Sequence, residues 1–160
     1  SARTSTGHDV GAIVIVNAIG SATIGSGRHF WAAPYERNGE FGGFGWPSPL
    51  PGDALAMHIK GHQPATTIAL VVTDASLTKP QAHRLAEMAD DGLSRAIRPA
   101  HAPLDGDTVF AAATGLRPLA DPIRDLTELG LLAADCLSRA IARGVYEASG
   151  AGSWREKWGR

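Results

Sequence analysis

The sequence predicts an α/β protein in which a sheet packs on helices. Two nearly continuous apolar runs rich in Val and Ile, residues 10–17 and 67–73, have the composition of strands covered on both faces. A third run, residues 108–113, predicts another strand. Apolar residues at helical spacing follow the second and third runs. The order strand, strand, helix, strand, helix is typical of layered α/β folds.

Two long amphipathic helices are predicted. The first begins after Thr78, because the segment Thr78-Lys79-Pro80-Gln81 has the form of a capping box with proline early in the first turn. Its apolar face consists of Ala82, Leu85, Ala86, Ala89, Leu93, Ala96 and Ile97. The second covers residues 122–148, with an apolar face of Leu126, Leu129, Ala133, Leu137, Ala140, Ile141 and Val145. The alanine-rich faces suit close helix packing.

Residues 20–61 are rich in glycine and proline and contain most of the aromatic residues. This composition breaks regular structure and predicts a long irregular loop. Loops of this length in compact domains are usually functional or mobile. The aromatic side chains can serve either as packing residues or as the wall of a substrate site, and we expect packing.

The composition excludes several classes of function. The net charge of -1 leaves no basic surface for nucleic acid or anionic lipid, and no apolar run is long enough to span a bilayer. The single cysteine, Cys136, lies in a helical apolar pattern and is expected to be a buried hydrophobic residue. None of the six histidines forms an HExxH-like pair, and no serine lies in a G-x-S-x-G elbow. We therefore expect surface histidines, no metal and no cofactor.

The chain begins with Ser1, and its first residues have neither the basic start nor the apolar stretch of a signal peptide. We expect that it begins partway through a longer protein, that any localisation signal lies upstream, and that the protein is cytoplasmic.

Three polar features interrupt the apolar elements, and each lies at the end of a predicted strand. Asn17 ends the first strand, Thr66 opens the second, and Asp105-Gly106-Asp107 opens the third. Functional groups are common where rigid strands meet loops. Each feature also has a structural explanation: Asn17 as a turn former, Thr66 as an ordinary strand residue, and Asp-Gly-Asp as a tight turn. A calcium loop is disfavoured because its other spaced oxygen ligands are absent.

The motifs resemble the L-aminopeptidase/D-esterase family of self-processing, N-terminal-nucleophile hydrolases. Residues 66–75 (TTIALVVTDA) are similar to the start of its small subunit, and residues 105–110 (DGDTVF) match a later block. Residues 16–20 (VNAIG) resemble the late part of its large subunit. The family includes D-Ala-esterase/aminopeptidases, β-aminopeptidases and nylon-oligomer endo-hydrolases.

This resemblance implies a fold and a division of the chain. The fold would be an αββα-like sandwich of sheets and helices, of which the chain forms an incomplete half. Residues 1–65 would be the C-terminal part of the large subunit, and residues 66–160 would be the small subunit. The implied partners are a peptide or small amide substrate, an upstream large-subunit segment, and further copies of the processed heterodimer.

The resemblance also implies a mechanism. Members of the family cut their own precursor before a Ser or Thr, so cleavage is expected between Ala65 and Thr66. A threonine hydroxyl is a weak nucleophile that needs an adjacent base, and a freed α-amine with a reference pKa of about 8 can accept its proton. Asn17 would donate to the oxyanion, while Asp105 and Asp107 would hold the hydroxyl and ammonium of Thr66.

Two departures from the family pattern leave an alternative open. Asparagine commonly precedes the nucleophile, and here that residue is Ala65. The family also has a lysine in an upstream Gly-rich segment, which no residue of this chain matches, since Lys60 is too close to the cut. The main hypothesis is therefore an aminopeptidase or oligoamide hydrolase, and the alternative is a catalytically inactive fragment or structural subunit.

Overall fold

A computed structural model describes residues 1–61 and 65–159, in which one four-stranded sheet is covered on one face by two long helices. The strands are β1 (Ala2–Arg3), β2 (Asp9–Ile15), β3 (Ile68–Ala75) and β4 (Thr108–Arg117). The helices are α1 (Lys79–Ala96), α2 (Pro122–Glu147) and the short α3 (Trp154–Trp158), with a 3-10 turn at Ala33–Tyr35. The predicted α/β class and element order are confirmed, whereas β1 and α3 were not predicted.

The pairing of the strands decides which chain segments meet. The sheet has the order β1-β2-β3-β4, with β2 antiparallel to β3 and β3 parallel to β4. Ile15 pairs with Ile68, and Ile68 pairs with Thr108. The end of β2 and the beginnings of β3 and β4 therefore lie together at one edge of the sheet.

The long helices begin where capping residues satisfy their free N–H groups. The Thr78 hydroxyl accepts from the Gln81 N–H, and the Gln81 side chain accepts from the Thr78 N–H at 2.8 Å, so the predicted capping box is confirmed. Asp121 caps α2 by accepting from the N–H groups of Ile123 and Arg124. In the part of the chain that the structure describes, no helix combines the length and apolar composition that crossing a membrane requires.

The alanine-rich helix faces pack within the chain. Ala89 of α1 and Ala133 of α2 are fully buried in the core beneath the sheet. The helices approach so closely that a Cβ at Gly92 would lie 2.6 Å from the carbonyl oxygen of Ala134. Packing within one chain thus buries these faces, and the oligomer that the family resemblance implies stays a prediction.

The opposite face of the sheet is open, which corrects the expectation of strands covered on both faces. Side chains alternate along the strands: Val71 is buried under the helices, whereas Ile13 and Ile15 are each 70% exposed and Phe110 is 56% exposed. The continuous apolar runs fit a sheet that is buried on both faces, yet in this chain the helices cover one face alone. The αββα-like second layer stays a prediction.

The long irregular segment packs through its aromatic residues, as predicted. Phe30 and Phe41 are almost fully buried and meet edge to face, with ring centroids 5.4 Å apart. Phe30 also stacks at 5.8 Å on Trp154 of α3, which closes this part of the core. Trp46 is nearly half exposed, so packing does not account for every aromatic side chain. Cys136 is buried, as expected.

The close approach of α1 and α2 yields a stability prediction. Gly92→Ala places a methyl group against the backbone of α2 and is expected to lower the free energy of unfolding by about 1–3 kcal/mol. Gly144→Ala is the matched control, since its Cβ would make an ordinary 3.7 Å contact with Val16. That variant should be neutral or up to about 1 kcal/mol more stable, because alanine favours helix. Chemical denaturation measures both, and equal stabilities for the two variants would contradict the packing account.

Candidate active site

The three polar features predicted from the sequence lie together at one edge of the sheet. The Thr66 N–H donates to the backbone carbonyl of Asn17 at 2.9 Å. Ala65 pairs with Asp105 in a parallel bridge that extends the β3–β4 pairing. This arrangement follows from the topology, because β2 ends where its antiparallel neighbour β3 and the parallel β4 both begin.

The peptide bond before Thr66 is held by two hydrogen bonds to a single carbonyl. The Thr66 hydroxyl donates to the carbonyl oxygen of Ala65 at 2.6 Å, and the Gly106 N–H donates to the same oxygen at 2.8 Å. A Cβ at Gly106 would lie 2.9 Å from the Thr66 hydroxyl oxygen. Glycine at position 106 therefore allows the chain before β4 to approach the hydroxyl closely.

The two aspartates have different surroundings in the uncut chain. The carboxylate of Asp105 accepts from the N–H groups of Ile19 at 3.0 Å and Ala102 at 3.1 Å, and so joins the segment after β2 to the loop before β4. The Asp107 side chain is only 3% exposed and accepts from the Thr67 N–H at 2.9 Å. The expected contacts of both carboxylates with the Thr66 hydroxyl and ammonium stay a prediction for a freed Thr66.

Lys60 lies at the site, although its position close to the predicted cut gave no reason to expect it there. Its ammonium donates to the side-chain oxygen of Asn17, and its N–H donates to the Ile19 carbonyl at 2.9 Å. An isolated bridge between Gly20 and Ile59 brings this distant segment alongside the end of β2. Because lysine only donates hydrogen bonds, it takes the amide oxygen and leaves the amide nitrogen of Asn17 free to donate elsewhere.

Two histidines contact carboxylates, and one of them, the buried His8, contradicts the expectation of a surface position. His101 lies beside the site, with Nδ1 3.2 Å from Asp107 Oδ2 and Nε2 3.3 Å from Asp90 Oδ2. His8 directly precedes β2, is only 3% exposed, and lies between Asp74 of β3 and Asp125 of α2. Residue type alone gave no signal for either position, although His101 lies only four residues before Asp105.

An apolar hollow of about 410 Å³ borders the site. Its walls include Ile19, Ile59, Ala102 and Leu104. Hydrogen bonds tie this wall to the site, because Asp105 accepts from the N–H groups of Ile19 and Ala102. The hollow can receive an apolar group of a molecule whose polar part lies at the sheet edge.

Curated relatives match most of the chain. Proteins described as uncharacterized aminopeptidases from Mycobacterium tuberculosis and Mycobacterium bovis are each 36% identical, with 92% of this chain aligned to 46% of theirs. A protein of the same description from Mycobacterium leprae is 40% identical, with 89% of this chain aligned to 41% of its length. The chain thus spans less than half the length of the curated relatives it matches.

Among solved structures, a β-aminopeptidase from a Burkholderia species is similar to this chain, with a TM-score of 0.48 and 18% sequence identity. The similarity covers 92% of this chain and 45% of that structure. The sequence profile of peptidase family S58 matches residues 1–157. Since this match covers nearly the whole chain, the chain belongs to peptidase family S58, the L-aminopeptidase/D-esterase family that its motifs resemble.

Proposed function

We propose that the protein carrying this chain is an amide or peptide hydrolase, acting as an aminopeptidase or oligoamide hydrolase, which is activated by cleavage before Thr66. Membership of peptidase family S58 supports the peptidase class. The observation that carries the proposal is the Ala65 carbonyl, which accepts from both the Thr66 hydroxyl and the Gly106 N–H.

The cleavage step follows from this geometry. The Thr66 hydroxyl oxygen attacks the carbonyl carbon of Ala65 and loses its proton, the C–N bond breaks, and an ester replaces the amide as the nitrogen takes up a proton. Water then hydrolyses the ester, which leaves a carboxylate on Ala65 and a free α-amine on Thr66. The Gly106 N–H donates to the oxygen on which negative charge develops, which is the arrangement that stabilises such a step.

The freed Thr66 would then act on substrates. Its α-amine would take the proton from its own hydroxyl as that oxygen attacks an amide carbonyl. Asn17 would donate its side-chain N–H to the oxyanion, in an orientation fixed by Lys60 at the amide oxygen. Asp107, next to the Thr67 N–H, would hold the ammonium, while Asp105 would keep the surrounding loop in place.

The hollow beside the site supports a substrate with an apolar group next to the scissile amide. Ile19 and Leu104 contribute apolar surface within one or two residues of groups that we place in the site. Apolar surface in a concave site gives affinity, while a few polar groups fix orientation. We therefore propose peptides with apolar side chains or aliphatic oligoamides as substrates.

The alternative function, a chain without catalytic activity of its own, is favoured by the open sheet face. Side chains of Ile13, Ile15, Ile68 and Phe110 form a contiguous exposed apolar surface next to the site. Exposed apolar patches of this kind mark interaction surfaces.

We propose that an upstream large-subunit segment, from the part of the family polypeptide beyond the matched region, covers this face, and that processed heterodimers assemble further.

Cleavage can be tested by removing one hydroxyl at a time. Thr66→Val in the full-length protein keeps the β-branched shape but removes the nucleophile, so we expect no cleavage and no hydrolysis. Thr67→Val is the matched control, because the buried Thr67 hydroxyl has no hydrogen-bond partner in the described residues and its loss should be tolerated. Intact-mass spectrometry measures the fragments. Cleavage of the Thr66→Val protein before residue 66 would contradict the mechanism.

The proposed oxyanion donor gives a second test. Asn17→Ala should lower kcat by about 100- to 1000-fold with little change in stability, because one donor to the developing charge is lost. Lys60→Met should lower kcat about tenfold, since the side-chain amide of Asn17 remains but is no longer oriented by the lysine. Lys79→Met at the exposed start of α1 is the control and should leave kcat unchanged. An equal kcat for the Lys60 and Lys79 variants would remove Lys60 from the mechanism.

The partner surface can be tested by charge. If this face stays in water, Ile13→Lys should change the free energy of unfolding little. If another layer covers the face, the same substitution should lower the free energy of unfolding of the full-length protein by about 2 kcal/mol or more. Ile123→Lys, at an 82% exposed position of α2, is the matched control. Thermal and chemical unfolding compare the two variants. Equal stabilities would show that no segment packs on the open face.

A further inference from the structure

We propose that His101 is a positioning residue, which fixes the carboxylate of Asp107 beside Thr66 and Thr67 and links it to Asp90 on α1. The role in catalysis rests on the proposed function, whereas the contacts themselves do not. His101 lies in the loop between α1 and β4, and its ring lies between the two carboxylates.

Both ends of the imidazole ring are engaged. Nδ1 lies 3.2 Å from Asp107 Oδ2, and Nε2 lies 3.3 Å from Asp90 Oδ2. A ring held at two opposite nitrogens has little freedom to rotate, so its position is set by α1 as well as by its own loop. Each contact brings a ring nitrogen close to a carboxylate oxygen, so a positive charge on the ring would be attracted to both carboxylates.

Asp107 depends on this ring for one of its two oxygens. Its side chain is 3% exposed; Oδ1 accepts from the Thr67 N–H, and Oδ2 faces the ring. An enclosed carboxylate that loses the polar group facing one of its oxygens must rotate or recruit water. Loss of His101 would therefore loosen the contact between Asp107 and the start of β3, where Thr66 lies.

The backbone conformation at His101 sets the position of its ring. His101 has a φ of 55°, a left-handed conformation that residues with side chains adopt rarely and that is found at functional sites. The next residues hold this turn, because the Asp105 N–H donates to the Ala102 carbonyl at 2.8 Å and the Asp105 carboxylate accepts from the Ala102 N–H. Asp105 thus supports the loop, and the loop orients His101 towards Asp107.

The charges around the ring are consistent with this role. The carboxylates that face His101 are Asp90 on α1 and Asp107 before β4, with Asp105 in the same loop. Burial raises the pKa of Asp90, the charge of His101 acts in the opposite direction, and Asp107 raises it further. A positively charged ring would therefore relieve the repulsion between the two carboxylates that it joins.

The first test measures the contact and requires no activity. In the full-length His101→Ala protein, amide hydrogen exchange at Thr67 should become about tenfold faster relative to the amide of Val71 in the same strand. His101→Gln should restore part of the protection, because its amide can still donate to Asp107. His83→Ala, an exposed histidine of α1 beside Glu87, should leave Thr67 unchanged. Unchanged exchange at Thr67, or equal acceleration at Thr67 and Val71, would overturn the proposal.

The second test measures catalysis. His101→Ala should lower kcat about tenfold or more while KM stays within about twofold, and Asp90→Asn should have a smaller effect in the same direction. A normal kcat in His101→Ala would overturn the positioning role. A wild-type protein that hydrolyses no amide would instead overturn the proposed function, while the exchange measurement would still decide whether His101 holds Asp107.

Discussion

The site depends on the parallel pairing of the residues that directly precede β3 and β4. The bridge between Ala65 and Asp105 places the Gly106 N–H on the Ala65 carbonyl, next to the Thr66 hydroxyl. Without this pairing the carbonyl before Thr66 would lack its N–H donor. The same pairing brings the Asp107 carboxylate against the Thr67 N–H. One strand register therefore positions both the Ala65–Thr66 peptide bond and Asp107.

The loop between α1 and β4 serves several roles at once. Leu104 forms part of the apolar hollow and accepts from the Ala65 N–H at 3.1 Å, while Asp105 holds the segment after β2. His101 connects Asp107 to a long helix. A substitution in this loop is therefore expected to affect the substrate wall, the bond before Thr66 and the carboxylates together.

Much of the fold could be predicted from the sequence because its signals are local. The capping box at Thr78 and the apolar periodicity of both helices depend on neighbouring residues, and the structure confirms them. The sequence could place Asn17, Thr66 and the Asp-Gly-Asp turn at strand ends, but it could not show that these ends meet, because strand pairing is not local. Lys60 and His101 were missed because a bridge between distant segments and a left-handed turn bring them to the site, and neither leaves a periodic pattern.

The central claim is that Thr66 becomes a chain end. N-terminal sequencing of the active, full-length wild-type protein tests this claim most directly. The account predicts two N-termini in equal amounts, one of which begins with Thr66-Thr67-Ile68. A protein that hydrolyses amides while showing a single N-terminus upstream of Thr66 would contradict it.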